Sequence, residues 1–347
     1  MKRAAAAAQR QSGRSSGVEH NLAKVGVEGS NPFARSRLFM SACAFPTDVA
    51  VPRPGGLRCL AAMTKSDAEM LMERETRVSY GPIDFEAFGY VVEPGRSHVE
   101  ADRYLLRTTD GLSYFYRKGE GITIFRGPDA DISEELLWLN GSVYSAVACI
   151  NGLVPIHASS VAHEGKVFAF TGPSGSGKST LIAALGKLGL PMFCDDTLVL
   201  DLSDADRITC LPGHKRLKLT PEALELTGAE RAEKVGQDID KYYARAPAGA
   251  AANSLPLAEL IFLEEGTGIA IEPIAGSERF LRAQDDHYTS KLFVAARQLD
   301  RAGQFAHRAR LAGQVSMARF TRPWDRTLFH SGVGLAARHI GAVEKAD

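Results

Sequence analysis

Residues 166–185 read KVFAFTGPSGSGKSTLIAAL. The apolar run Lys166 to Thr171 has the make-up of a strand, and Ser179 to Lys187 that of a helix. Between them Gly172, Gly177, Lys178 and Ser179 fill the pattern G-x-x-x-x-G-K-[ST], with Pro173, Ser174, Gly175 and Ser176 inside it and Thr180 following. Glycines allow the backbone to curl until several N–H groups converge on phosphate oxygens, and the start of the following helix adds unpaired N–H groups and a partial positive charge. Lys178 is expected to reach the β- and γ-phosphates, and the Ser179 hydroxyl to sit on Mg²⁺. The flanking strand and helix are the context this motif requires, so the first expectation is a nucleoside triphosphate site.

Working outward, strand-like runs recur at Leu198 to Leu202, Ile208 to Leu211 and Leu260 to Leu263, and helical stretches at Pro221 to Leu226 and Tyr288 to Gln298. Strands interleaved with helices predict an α/β core. Upstream of the loop stands Val154-Pro155-Ile156-His157-Ala158-Ser159-Ser160, and downstream Met192-Phe193-Cys194-Asp195-Asp196. An apolar segment that ends in two adjacent carboxylates, one helix after a phosphate loop, suits metal binding and proton abstraction. His157 alone reads as a core histidine as readily as a functional one; its proximity to the phosphate strand makes it a candidate.

From Val78 to Gly127, short runs (AFGYVVE, DRYLLRT, SYFYRK, ITIFRG) alternate with Pro94-Gly95, Asp110-Gly111 and Gly119, which predicts a small antiparallel β unit. Asp131 to Glu135 opens a helical segment reaching Cys149, with Ser133 as its expected N-cap. Ala244 to Ala252 reads as a loop. The expected organisation is therefore an unstructured 1–77, a β unit with connecting helix over 78–150, an α/β core carrying the phosphate loop over 151–330, and a tail from 331 to 347.

The N-terminus is a different material. Residues 1 to 39 hold seven basic side chains against two acidic ones, leaving 34 against 39 in the rest of an otherwise balanced chain. The stretch from Ser12 to Ser36 resembles a transfer-RNA gene read in a protein frame: Arg14 to His20 match a D-arm, Asn21 to Val25 an anticodon arm, and Gly29 to Pro32 a T-arm. A start codon placed too far upstream, with the working start at Met40 or Met63, is the expectation; a targeting leader is the alternative.

Over 347 residues, 45% are hydrophobic and the 41 basic residues equal the 41 acidic ones, which excludes disordered, collagen-like and coiled-coil classes and gives no footprint for nucleic acid or an anionic membrane. No apolar run approaches the roughly 18 residues of a membrane span. The five cysteines form no C-x-x-C pair, so neither a disulfide framework nor a zinc ribbon is suggested and a cytoplasmic setting is the default.

Taken in order, His157, the loop Gly172 to Ser179 and the pair Asp195-Asp196 resemble the HPr kinase/phosphorylase family, in particular its C-terminal kinase domain and shorter relatives. The resemblance spans roughly Pro155 to Trp324. It implies a P-loop kinase core related to ATP-dependent phosphoenolpyruvate carboxykinase, with ATP and Mg²⁺ as cofactors and phosphate passed to a serine of a protein. One of Asp195 and Asp196 would be the base that takes the serine proton, and the other would hold Mg²⁺ with Ser179; which is which stays open. The Arg-Gly-x-Gly segment that full-length members carry, linked to the reverse dephosphorylating activity, is absent. In its place stands Leu211-Pro212-Gly213-His214-Lys215-Arg216-Leu217-Lys218-Leu219, which is similar to the shorter relatives, some of them encoded beside lasso-peptide genes and acting on a precursor peptide. A small protein or peptide with an acceptor serine is the expected partner, and homo-oligomerisation is left open. The alternatives are a small-molecule kinase, for example of free serine, and a nucleotide-dependent regulatory ATPase.

Three further features bear on the site. The cluster His214-Lys215-Arg216-x-Lys218 is a candidate for neutralising charge on the transferred phosphoryl group, against a solvated strand edge. Lys241 could reach a phosphate or a peptide. Leu260 to Glu265 has the outline of a Walker B strand, which makes Glu264 a secondary candidate, whereas Arg279, Arg282 and the series Arg297 to Arg310 read as solvated helix faces.

Overall fold

The computed structural model describes residues 65–213, 216–236, 239–284 and 288–342. The suspected leader, Met40, Met63, Cys43, Cys59, His214, Lys215, Asp285 and Asp286 lie outside them. The chain opens with α1 (Asp67–Glu75) and a first sheet made of β1 (Val78–Tyr80), β2 (Arg96–Val99), β3 (Arg103–Arg107), β4 (Leu112–Arg117) and β5 (Gly121–Arg126). A helical run follows: a 3₁₀ turn at Ile132–Glu134, α2 (Glu135–Trp138), a π turn at Leu139–Val143, and α3 (Tyr144–Ile150). Next come β6 (Val154–His163), β7 (Lys166–Thr171), α4 (Lys178–Lys187), β8 (Met192–Cys194), β9 (Thr197–Asp201), β10 (Thr209–Leu211), β11 (Leu217–Leu219) and α5 (Pro221–Thr227). The remainder is β12 (Arg231–Lys234), β13 (Tyr242–Ala244), β14 (Leu255–Glu265), β15 (Ala270–Pro273), α6 (Ser277–Arg282), α7 (Tyr288–Ala296), α8 (Arg301–Gln314), β16 (Ser316–Arg322) and α9 (Phe329–His339).

The protein is α/β, organised on a central sheet of order β10-β9-β6-β7-β14-β16-β15. Its neighbouring strands pair in parallel at β7–β14 and β14–β16, and β6 and β15 flank these three antiparallel. Alternate residues feed two apolar layers, as a strand's period of two requires. Val167, Ala169, Leu260 and Met317 enter a core shared with α3 and the first sheet. Phe170, Ile261, Leu263, Ala318 and Phe320 enter a second core with Leu181 and Leu185 of α4 and Val333 and Ala337 of α9. Burying both faces explains why these strands read as nearly continuous apolar runs.

The first sheet has order β1-β5-β4-β3-β2 and is antiparallel except that β1 pairs β5 in parallel. Four expectations need correction. Residues 67–75, expected to be unstructured, form α1, because Ser66 and Glu69 cap each other reciprocally: Glu69 N donates to Ser66 Oγ (3.2 Å) and Ser66 N to Glu69 Oε2 (2.8 Å). The run AFGYVVE is not a strand, because Gly89 turns at φ +79° and its N–H closes a turn onto Glu86 O. The helical run is capped by Asp131, whose carboxylate accepts from Ser133 N at 2.9 Å, so Ser133 is the donor and not the cap. The expected tail contains α9, held by the apolar face that places Val333, Ala336 and Ala337 in the second core.

Among the described residues no helix is long and apolar enough to cross a membrane.

Candidate functional site

The phosphate loop is shaped by three glycines with positive φ: Gly172 at 147°, Gly175 at 83° and Gly177 at 78°. Gly177 precedes α4 and supplies no side chain to cap it, so the first N–H groups of the helix face the loop. Lys178 is buried and its ammonium donates back to Gly172 O (2.9 Å) and Pro173 O (3.0 Å), which closes the loop around the lysine. A methyl group on Gly177 would lie 2.6 Å from Arg322 Nη2. Gly177→Ala therefore adds left-handed strain and pushes the Arg322 guanidinium off its place at Ser176 O; binding of ATP, the ligand class the loop pattern points to, should weaken about tenfold by calorimetry, with the far-UV circular dichroism unchanged.

The two carboxylates follow the last residue of β8, Cys194, as expected, and form the link between β8 and β9. β8 and β9 both pair antiparallel with β6, Cys194 opposite Ser160 and Thr197 opposite His157, so Asp195 and Asp196 stand across from Ser159 and Ala158 with no residue inserted. Asp196 is the centre of a tight turn in which Thr197 N donates to Asp195 O (3.0 Å), with φ +75°, a conformation that Asp tolerates better than most side chains. The result is that neighbouring carboxylates diverge. Asp195, 2% exposed, accepts from Ser159 Oγ (2.6 Å) and Ser179 Oγ (2.7 Å) through Oδ1 and from Lys218 N (3.1 Å) through Oδ2. Asp196 faces His157 and Lys218: His157 Nδ1 lies 3.2 Å from Oδ1 and 3.1 Å from the Asp196 main-chain oxygen, and Lys218 Nζ lies 3.6 Å from Oδ2. Both neighbours of Nδ1 are acceptors, which puts the ring proton on that nitrogen. Burial works to raise the Asp196 pKa, but Lys218, then His157 and Lys178, outweigh it and hold the carboxyl well below the usual carboxylate range.

Lys218 is 3% exposed at the centre of β11, opposite Tyr243 of β13. The basic cluster is thus divided: Lys218 faces the carboxylates, whereas the Arg216 guanidinium stacks 3.6 Å over the Tyr243 ring and pairs with Glu233. Arg322, which sequence reasoning did not single out, closes the other side. From the end of β16 its Nη2 donates to Ser176 O at 2.6 Å. Nothing local marks that arginine, because the two residues are 146 positions apart.

His157, Lys178, Asp196, Lys218, Lys241 and Arg322 all line one cavity of about 390 Å³ together with Ser174, Gly175, Gly177, Ser179 and Thr180. That volume is within the range of small-molecule sites. Glu264 does not line it and is instead held by Arg282 and by Arg319, whose Nε lies 3.1 Å from Oε2. The arginines expected on solvated faces are also tied down: Arg279 donates to Val315 O, Arg297 to Ile150 O and Arg310 to Leu202 O. Among the described residues no group of three or more His, Cys, Asp or Glu side chains could hold a metal ion by itself.

No family model matches the chain. No curated protein matches it. Among solved structures it is similar to the Hpr(Ser) kinase/phosphatase from Coxiella burnetii, at 12% identity and a TM-score of 0.29, over 54% of this chain and 95% of that one.

Proposed function

We propose that the protein is an ATP-dependent phosphotransferase that passes the γ-phosphoryl group to a serine hydroxyl of a small protein or peptide. The observation that carries the reading is the division of labour between adjacent carboxylates beside a phosphate loop: Asp195 bonded to the loop's Ser179, Asp196 turned to Lys218 and His157 in the open cavity.

Ser179 and Asp195 offer two hard oxygen donors 2.7 Å apart, a set that suits Mg²⁺, which is commonly bound by one or two protein oxygens and completed by phosphates and water. When bound there, the ion supplies charge neutralisation on the terminal phosphates. The chain's own groups do the rest. Lys178 and the loop N–H groups hold the triphosphate. Asp196, kept ionised, accepts the proton of the acceptor hydroxyl as its oxygen bonds to phosphorus and the bond to the leaving diphosphate breaks. Lys218 and Arg322 face the charge that spreads over the transferred group. His157, donating through Nδ1, orients Asp196.

The test uses purified protein, Mg²⁺ and γ-labelled ATP with a cell extract and with serine-containing peptides. Label on a polypeptide that yields phosphoserine is the expected result. Label that runs only with small solutes supports a metabolite kinase, and ATP turnover with no labelled acceptor supports a regulatory ATPase; either overturns the proposal.

A further inference from the structure

The phosphoryl-transfer part of the cavity is defined by Asp196, Lys218 and His157 around Ser179, and it leaves a second, apolar part of the same lining without an assigned role: Leu226, Trp324, Leu328 and Phe329. Trp324 is 58% exposed and Leu328 39%, an unusual use of large apolar side chains unless something covers them.

The indole is placed with care. Trp324 follows β16 directly, two residues after the arginine that grips Ser176 O, and the Arg322 guanidinium carbon lies 5.8 Å from its ring centroid. A methyl group on Gly177 would be 3.8 Å from the indole Cζ3, so the ring edge reaches the last glycine of the phosphate loop. The next residue locks the turn. Asp325 accepts from Thr327 N (2.8 Å) and Thr327 Oγ1 (2.7 Å), capping the short 3₁₀ turn Arg326–Leu328 that leads into α9. An exposed aromatic face is therefore fixed on a capped turn beside the loop and does not need ordering when a ligand arrives.

We infer that Trp324 is the nucleobase platform of this site: the base of the bound nucleotide stacks on the indole, with Leu226, Leu328 and Phe329 forming the apolar wall around it. The inference rests on the reading of the loop as a nucleoside triphosphate site. Its chemistry follows from geometry. The triphosphate is anchored at the loop with its terminal group toward Asp196, so the nucleoside must extend along the remaining lining, and that lining presents a π face and aliphatic groups. Stacking of this kind accepts any base, and a purine covers more of the indole than a pyrimidine. The platform thus contributes affinity for the nucleoside half, independently of the phosphates.

The two halves can be measured separately with ATP and inorganic tripolyphosphate, each with Mg²⁺, on wild-type protein, Trp324→Ala and Trp324→Phe. Wild-type protein should bind both ligands, and ATP alone should quench tryptophan emission. Trp324→Ala should weaken ATP about tenfold or more while tripolyphosphate affinity stays within about twofold, and Trp324→Phe should restore ATP binding to within about threefold. The quench should vanish in both variants, because the other tryptophan, Trp138, lies on α2 and does not line the cavity. Unchanged ATP affinity in Trp324→Ala, or an equal loss for ATP and tripolyphosphate, overturns the platform and leaves the phosphate site standing. Failure of wild-type protein to bind either ligand overturns both readings.

Discussion

Lys178→Ala should abolish phosphoryl transfer, with a loss on the order of 10³-fold in kcat measured by γ-labelled ATP, well beyond any loss of stability. The ammonium is the cation inside the loop, donating to Gly172 O and Pro173 O from a buried position. Alanine removes the charge that would meet the terminal phosphates and also the two bonds that draw the loop ends together. The side chain is at the start of α4, and the helix itself is held by Leu181, Ile182 and Leu185 in the second core, so the variant should fold. Thermal denaturation within a few degrees of wild type, together with lost transfer, is the expected pair of results. A Lys178→Ala protein that transfers phosphate at the wild-type rate removes the loop from the chemistry.

Asp196→Asn should lower kcat by about 10²- to 10⁴-fold while leaving ATP affinity within about threefold, because the role proposed for the group is on the acceptor hydroxyl and not on the nucleotide. Asparagine is the informative substitution: it keeps the shape and, like aspartate, tolerates the +75° φ that the turn imposes, whereas alanine would add backbone strain. Asp195→Asn should differ in kind. Its carboxylate bonds Ser179, so the expected change is a raised Mg²⁺ requirement in the same assay. Full activity in both asparagine variants would overturn the assignment of these two residues.

The pH dependence follows from the direction of the Asp196 shift. A carboxyl held below its unfolded pKa contributes stability that is fully present above about pH 3.9 and is lost as pH falls toward the lower folded value. Asp196 therefore stays ionised through the neutral range, and its protonation should produce no acid limb in the rate profile between about pH 5 and 8. Asp196→Asn removes this contribution and leaves Lys218, buried beside it, with one fewer counter-charge, so a modest fall in melting temperature is expected.

The strand Lys166–Thr171, the loop and the helix from Lys178 were legible because each is specified by contiguous residues: an apolar run, glycines where the left-handed region is required, and helix formers beyond. The pair Asp195-Asp196 was visible as a pair, but its division was not. The divergence depends on the tight turn between β8 and β9, where Asp196 takes φ +75° and Thr197 N closes onto Asp195 O while both strands keep β6 as their partner. The basic cluster was visible as a cluster, but the division between Lys218 and Arg216 was not. Charge spacing in a row does not tell which partners two cations two residues apart will meet: Lys218 of β11 reaches Asp196, whereas Arg216, just before that strand, stacks on the Tyr243 ring. The N-cap at Asp131 and the helix at Asp67–Glu75 were missed on local grounds that a closer reading of Asx and Ser-x-x-Glu patterns could have found.

From the order of residues alone, this protein has a glycine-rich loop of the P-loop pattern, an α/β core and a carboxylate pair one helix beyond the loop, because those features depend on backbone torsions and on neighbours a few positions away. Tertiary structure alone decided that Asp195 belongs with Ser179 and Asp196 with Lys218, that Arg322 grips the loop across 146 positions, and that Trp324 lies against Gly177. Those relations are set by strand order and by two apolar layers that fix β11 and β16 against the loop. A side chain's chemistry is written in its own residue, but the partner it meets is chosen by how the core packs.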